Sequence, residues 1–162
     1  MKIIVDTREK KPWNFSSYDI EIVSQKLDEG DYTTQAIYDL EKESGQKILR
    51  IERKKSVSEI AGNLGKSTNR ERFYREMERL EDYEFKYIIM EFPTQELARY
   101  PYGAGIPKKL RAKIKMRGKY ILSLLDQIEA DYGVEILYCQ DVFDAQEQAI
   151  QIIQEVHDAY KI

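Results

Sequence analysis

The sequence predicts an α/β fold in which helices flank a central mixed β-sheet. Two observations support this class: short apolar runs typical of buried strands, and longer segments whose apolar residues recur at helical spacing. These segments follow one another as strand, hairpin-like strands, helices, strand, helix, strand, helix, an order that packs helices against a sheet. The 162 residues show no linker, repeat or low-complexity segment, so we expect one domain over residues 1–162.

Six segments have the composition of strands: residues 2–5, 19–23, 33–41, 47–52, 85–92 and 134–138. The first of them delivers Asp6 to its C-terminal end. Gly30 marks a turn before Asp31, because glycine tolerates a positive φ. Ser44 and Gly45 are a turn signal, so the third and fourth segments are predicted to form a hairpin.

Helical periodicity fills most of the remaining chain. Helices are predicted to begin near Ser56, Thr68, Lys108 and Asp141. Ser56 and Thr68 each precede a Glu by three residues, which is the pattern of a capping box. The apolar stripes of these helices are most simply core.

Composition excludes several kinds of site. Cys139 is the one cysteine, so neither a disulfide framework nor a cysteine zinc cluster can form within the chain, and we expect a reducing compartment. His157 is the one histidine, which disfavours a catalytic triad or a histidine metal site. No apolar run approaches the roughly 18 residues of a membrane span, and a signal-peptide pattern is absent. Chemistry is therefore expected from carboxylates, Lys, Arg and Tyr.

The net charge is −3, but its distribution says more than its sum. Basic residues crowd the middle of the chain, and the stretch from Asp126 onward is acidic. We predict contacts to a phosphate backbone from the basic residues Lys55, Lys66, Arg70, Arg72, Lys108, Lys109, Arg111, Lys113 and Lys115. The alternative is that residues 108–119 are an ordinary solvated helix face.

The stretch from residue 48 to residue 59 carries the clearest chemical signal. Side chains alternate along a strand, so Glu52 and Lys54 point to the same face at the strand end. Taken alone, this pair is better explained by an ordinary salt bridge. Asp6 and Asp31 add carboxylates at neighbouring strand ends, and convergent carboxylates suit a hard divalent cation that activates water for phosphodiester hydrolysis. A lysine beside such an ion can orient the water and stabilise the pentacovalent phosphorus.

Three motifs in order, Val5-Asp6-Thr7-Arg8-Glu9, Gly30-Asp31-Tyr32 and Ile51-Glu52-Arg53-Lys54, resemble those of the XPF family of structure-specific endonucleases, a branch of the PD-(D/E)xK nucleases. The resemblance covers about residues 1–92. It implies a three-layer, restriction-endonuclease-like sandwich. It also implies Mg²⁺ or Mn²⁺ ligation by Asp6, Asp31 and Glu52, catalysis assisted by Lys54, and accessory roles for Arg8, Glu9 and Arg53.

The implied activity is metal-dependent endonuclease cleavage of branched, flapped or recombination-type DNA, as used in repair and recombination. A homodimer is a further implication of the family. Two alternatives are a non-catalytic DNA-binding or scaffold subunit and a resolvase-like PD-(D/E)xK nuclease. The first alternative requires an eroded site, whereas the acids and the lysine are all present here.

The sequence departs from the family pattern at two points. Ser58 stands where the family usually has an Asp four residues after the motif lysine, Lys55 reads as an insertion, and Glu59 follows one position later. Glu59 is either catalytic or the capping partner of Ser56, and the capping role is favoured. No helix-hairpin-helix repeat is visible either, so we expect a short stand-alone form from the cytoplasm of a prokaryotic or phage-infected cell.

Overall fold

The computed structural model describes all 162 residues, which form six strands and seven helices. In chain order these are β1 (Lys2–Val5), β2 (Glu21–Ser24), β3 (Tyr32–Thr34), α1 (Gln35–Ser44), β4 (Leu49–Lys54), α2 (Val57–Gly65), α3 (Ser67–Leu80), β5 (Phe85–Met90), α4 (Thr94–Ala98), α5 (Lys108–Arg111), α6 (Gly118–Tyr132), β6 (Glu135–Tyr138) and α7 (Val142–Tyr160). None of the helices combines the length and the apolar character needed to cross a bilayer.

The strands form one mixed sheet in the order β2-β1-β3-β4-β5-β6. β3 runs antiparallel to both β1 and β4, and the remaining neighbours are parallel. The C-terminal ends of β1 and β4 therefore lie at the same edge as the start of β3. This topology confirms the predicted mixed sheet, and it gathers the three motifs at one edge.

Helices cover both faces of the sheet, which confirms the three-layer arrangement. One buried cluster joins the sheet to α1 and α7, and the other joins it to α2, α3 and α6. Leu49 and Ile51 of β4 belong to the first cluster. Because side chains alternate along a strand, Glu52 and Lys54 face the second layer instead.

The predicted hairpin over 33–41 and 47–52 is wrong. β3 ends at Thr34, and residues 35–44 form α1. The Thr34 hydroxyl accepts a hydrogen bond from the backbone N–H of Ile37 at 3.3 Å, so it caps the helix. Gly45 at φ 74° ends the helix and donates its N–H to the Glu41 carbonyl, so this glycine is a helix C-cap rather than a hairpin turn.

Two predicted helix starts also differ. α3 begins at Ser67 after Lys66, without a side-chain cap, so Thr68 lies inside the first turn. The helix expected from Lys108 onward is broken: α5 is one turn long, and α6 begins only at Gly118, because residues 108–117 have no apolar stripe that could bury one face of a helix. The predicted caps at Ser56 and Asp141 are confirmed.

Candidate active site

Glu52 and Lys54 leave β4 on the same face and are in contact. The distance between Lys54 Nζ and Glu52 Oε1 is 3.4 Å, and the lysine side chain is only 6 % exposed. The ammonium lies 5.5 Å from the centroid of the Phe73 ring on α3. The sequence-predicted pairing is therefore present, and its surroundings decide whether it is only a salt bridge.

Asp31 is placed next to this pair by a turn that only glycine accommodates easily. Gly30 has φ +70°, and a Cβ there would lie 3.1 Å from the Cβ of Arg50. Asp31 donates its N–H to the Ile51 carbonyl at 2.9 Å, and its Oδ2 accepts from the Arg53 N–H at 2.7 Å. Asp31 and Glu52 thus line one open cleft of about 200 Å³.

The cleft holds more negative charge than its cations neutralise. Burial raises the pKa of Asp31 to about 8, and repulsion from Glu52 and Glu9 adds to the effect. The pKa of Glu52 is also raised, chiefly by burial, and Lys54 offsets this in part. Burial opposes the charged form of Lys54, but the adjacent carboxylates outweigh it, so its pKa is raised and it stays an ammonium.

Asp6 does not line the cleft, and hydrogen bonds hold its carboxylate in place. The residue is 1 % exposed, and its Oδ1 accepts from both the N–H and the Nε of Arg8, at 2.9 and 2.6 Å. Its Oδ2 accepts from the Leu27 N–H at 2.7 Å. Burial favours the neutral acid, but these hydrogen bonds prevail and lower the pKa of Asp6. Asp6 is close to Asp31 through the backbone, since its N–H donates to the Asp31 carbonyl at 2.8 Å.

Arg53 and Glu9 lie on the opposite face of β4 from Glu52. The Arg53 side chain is 7 % exposed, donates from Nε to Glu91 Oε1 at 2.7 Å, and lies 3.2 Å from Glu9. Tyr32 donates its hydroxyl to Glu9 at 3.1 Å. These contacts hold the end of β4 in place, so Arg53 and Glu9 are arranged to support the structure there. Arg8 instead lines the acidic cleft with a side chain that is 66 % exposed.

Two further acids, Glu59 and Glu76, complete the surroundings of Lys54 and Glu52. Glu59 accepts from the Lys55 N–H at 3.0 Å and lies 3.9 Å from Lys54 Nζ, while its own N–H donates to the Ser56 hydroxyl. Glu59 therefore makes the helix-cap contact with Ser56 and also lies near the Lys54 ammonium. Glu76 of α3 lines the cleft and helps to raise the pKa of Glu52.

The sequence-based reasoning did not identify Glu76 or Glu91. A signal for Glu76 existed, because it lies three residues after Phe73 on a helix whose buried stripe faces the sheet. Glu91 has no comparable signal. It follows Met90, which is the register partner of Lys54, so only the pairing of β4 with β5 reveals it.

The donor chemistry fits a hard divalent cation, although no three Asp, Glu, His or Cys side chains are grouped so as to surround one. Asp31 and Glu52 offer carboxylate oxygens to the same cleft. Mg²⁺ in proteins is typically bound through one or two carboxylates, with water and substrate phosphate completing its shell. The uncompensated charge described above would also favour a bound cation.

The predicted DNA-contacting residues divide into two groups. Six of them are exposed: Lys66, Arg72, Lys108, Lys109, Lys113 and Lys115. The other three are held by the protein. Arg70 donates to the Leu64 carbonyl at 2.8 Å, Lys55 lies 3.7 Å from Glu9, and Arg111 stacks over the Tyr102 ring.

Comparison with known proteins identifies the family of this chain. The profile of the ERCC4 domain matches residues 5–149, a range that includes all three motifs. The chain belongs to the ERCC4 domain family. The resemblance of its motifs to XPF-type nucleases is thereby confirmed. A search of curated proteins found no match.

Two solved structures share the ERCC4-type fold of this chain. XPF from Aeropyrum pernix superimposes with a TM-score of 0.60 at 21 % identity, and its complex with DNA does so with a TM-score of 0.59 at 21 % identity. Each match covers 99 % of this chain and 65 % of the other. The chain thus spans slightly less than two thirds of the archaeal chain.

Proposed function

We propose that this ERCC4 domain protein is a metal-dependent DNA endonuclease acting on branched, flapped or recombination-type DNA, with residues 1–162 working as one nuclease domain. The observation that carries the proposal is the pair of carboxylates, Asp31 and Glu52, facing one cleft beside Lys54. Membership in the ERCC4 family supports nuclease chemistry. The archaeal XPF complex with DNA supports the choice of substrate.

Asp31 and Glu52 would hold Mg²⁺ or Mn²⁺. Asp6 is the third proposed ligand, although its Oδ1 already accepts two hydrogen bonds from Arg8. Such an ion, when bound, neutralises charge on the phosphate and lowers the pKa of coordinated water. Lys54 remains an ammonium, so its role is to donate hydrogen bonds to a phosphate oxygen and to orient the water. Glu59 and Glu76 position Lys54 and Glu52 through their charges.

A cleavage assay tests this proposal. Flaps, three-way and four-way junctions and a matched duplex are incubated with Mg²⁺, Mn²⁺ or EDTA. We expect branched substrates to be cut in either metal and none in EDTA. Asp31→Asn and Glu52→Gln should each lower the rate by at least about 100-fold, as expected when a charge that acts in the transition state is removed. Glu43→Gln, on the exposed side of α1, is the matched control and should cut like wild type.

Three other outcomes would contradict parts of the proposal. Metal-dependent cleavage that persists in both site variants would overturn the site. Tight junction binding without cleavage in either metal would favour the non-catalytic scaffold subunit. Cutting of plain duplexes at preferred sequences would favour a resolvase-like nuclease. Sedimentation of the free protein and its DNA complex tests the proposed homodimer.

A further inference from the structure

A basic and aromatic groove lies outside the acidic cleft, between the end of α4 and the start of α6. We call it the arginine–tyrosine groove. It has a volume of about 450 Å³ and is lined by Ala98, Arg99, Tyr100, Tyr102, Arg117 and Lys119. Arg99 and Tyr102 also line an adjoining hollow of about 270 Å³ that reaches Lys55, the residue after Lys54. The groove is therefore continuous with the strand end that carries the candidate active site.

The charged residues that line this groove, Arg99, Arg117 and Lys119, are all basic. Residues 97–125 contain eight Lys or Arg residues and neither Asp nor Glu, in a chain whose net charge is −3. None of these eight side chains forms a salt bridge. An ordinary solvated helix face would intersperse acids at helical spacing. Unpaired cations gathered beside a groove indicate an anionic polymer as the partner.

The tyrosines of the groove indicate which kind of anionic polymer binds there. Tyr102 is 54 % exposed, and the guanidinium of Arg111 lies 5.1 Å from its ring centroid. Gly103, at φ +76°, lets the loop pass close to the Arg99 guanidinium. An exposed ring in a groove that is also lined by arginines suits stacking on a nucleobase, and only an unpaired base offers its face. α5, at four residues, is too short to act as an amphipathic membrane anchor.

We propose that the arginine–tyrosine groove binds an unpaired strand of DNA, with Tyr102 stacking on a base and Arg99 and Arg117 contacting phosphates. The inference rests on the proposed function only in taking DNA as the polymer. It makes single-stranded character next to the cleavage point the feature that the protein selects. A fully paired duplex would use the exposed lysines of residues 108–115 and leave the groove empty.

Equilibrium binding tests the groove without any cleavage. The ligand is a fluorescent oligo-dT of about 20 nucleotides, long enough to span several stacking sites, and the buffer contains EDTA. We expect Tyr102→Ala to weaken binding by roughly 5- to 100-fold, the usual loss for one stacked base, and Tyr102→Phe to retain affinity. Arg99→Ala and Arg117→Ala should each lower the slope of log affinity against log salt by about 0.7, whereas Tyr102→Ala should leave that slope unchanged.

Tyr120→Ala is the matched control, because Tyr120 lies in the same basic segment, is 51 % exposed and does not line the groove. It should bind the oligo-dT as wild type does, and blunt duplex affinity should be insensitive to Tyr102→Ala. Equal losses at Tyr102 and Tyr120, or an equal loss for duplex, would overturn the inference. So would Tyr102-dependent binding of phosphatidylserine vesicles without Tyr102-dependent binding of the oligo-dT.

The two proposals fail in different ways. If wild type cuts branched DNA but Tyr102→Ala binds the oligo-dT normally, the groove assignment is wrong and the nuclease assignment stands. If no DNA is cut in any metal while the oligo-dT binds in a Tyr102-dependent manner, the groove stands and the nuclease assignment fails. Glu52→Gln should retain oligo-dT affinity in EDTA, which separates the two sites within one variant.

Discussion

At the residue scale, the end of β4 carries two kinds of buried charge. Arg53 is surrounded by carboxylates, hydrogen bonds and the Trp13 ring, so its charge is neutralised locally and serves the fold. On the other face, Asp31 and Glu52 repel each other, and Lys54 compensates only in part. Uncompensated charge in an open cleft is what a cation-binding site requires, whereas a structural ion pair has no need of it.

This difference predicts a pH dependence of stability in EDTA. The pKa of Asp31 is about 8 in the folded chain against an ordinary value of 3.8, so folding retains a proton that the unfolded chain loses. The stabilisation from this group is complete below pH 4 and is lost as the pH rises to about 8. Asp31→Asn should therefore gain in melting temperature over wild type progressively across that window, with no further gain above it.

Thermal melts from pH 4 to pH 9 measure this difference. Asp19→Asn is the control, because Asp19 is exposed before β2 and forms no ion pair, and its profile should run parallel to that of wild type. A constant offset between Asp31→Asn and wild type over the whole range would contradict the raised pKa of Asp31.

At the element scale, the short helix α4 and the start of α6 build the arginine–tyrosine groove by packing closely. Gly118 is buried at the start of α6 and donates its N–H to the Tyr100 carbonyl at 3.0 Å. A Cβ at Gly118 would lie only 1.7 Å from the Leu97 carbonyl oxygen of α4. This close approach places Arg117 on the same groove as Arg99.

Gly118→Ala should therefore destabilise the protein by about 1–3 kcal/mol or more, because backbone has to move to make room. Gly62→Ala is the matched control. Gly62 lies inside α2 with no atom within 4 Å of a Cβ, so alanine should stabilise the helix by about 0.5–1 kcal/mol. Urea unfolding of both variants measures the two effects. Equal changes in the two would contradict the tight α4–α6 contact.

The elements that the sequence predicted best are those whose signal is local. β5 is a continuous apolar strand, and α2 and α7 begin at side-chain caps that are visible in the sequence. The prediction of a strand over residues 33–41 depends on reading Ser44 and Gly45 as a hairpin turn, whereas Gly45 is the C-cap of α1. The helical state of α1 depends on the Thr34 cap and on packing against β1 and β3, which the chain acquires only when the sheet forms.

The same limit applies to the site. Asp31, Glu52 and Lys54 could be predicted because each belongs to a short motif whose chemistry is readable from residue type and spacing. The hydrogen bonds of the Asp6 carboxylate could not be predicted, since Arg8 binds Oδ1 and Leu27, 21 residues away in sequence, binds Oδ2. Glu76 reaches the site through the packing of α3, and Glu91 through the pairing of β4 with β5. Both are long-range contacts.

At the scale of the whole molecule, a net charge of −3 hides an uneven distribution of acidic and basic residues along the chain. Residues 97–125 carry only positive formal charge, while the acidic cleft lies at the C-terminal end of β4. Interactions between exposed charges are screened within about 8–10 Å at physiological salt. A phosphate backbone near the basic segment would therefore experience local lysines and arginines, with little effect from distant acids.

Position, and not total charge, should consequently govern duplex affinity. Lys108→Ala combined with Lys109→Ala lowers the net charge by two, and so does Lys26→Ala combined with Lys42→Ala; all four side chains are exposed. We expect the first pair to reduce the salt slope of binding to a duplex by up to about 1.8, because each lysine that contacts a phosphate contributes about 0.9. The second pair should leave the slope unchanged. Fluorescence anisotropy titrations across a range of salt concentrations measure both, and equal slopes in the two double variants would mean that the basic segment acts only through the protein's total charge.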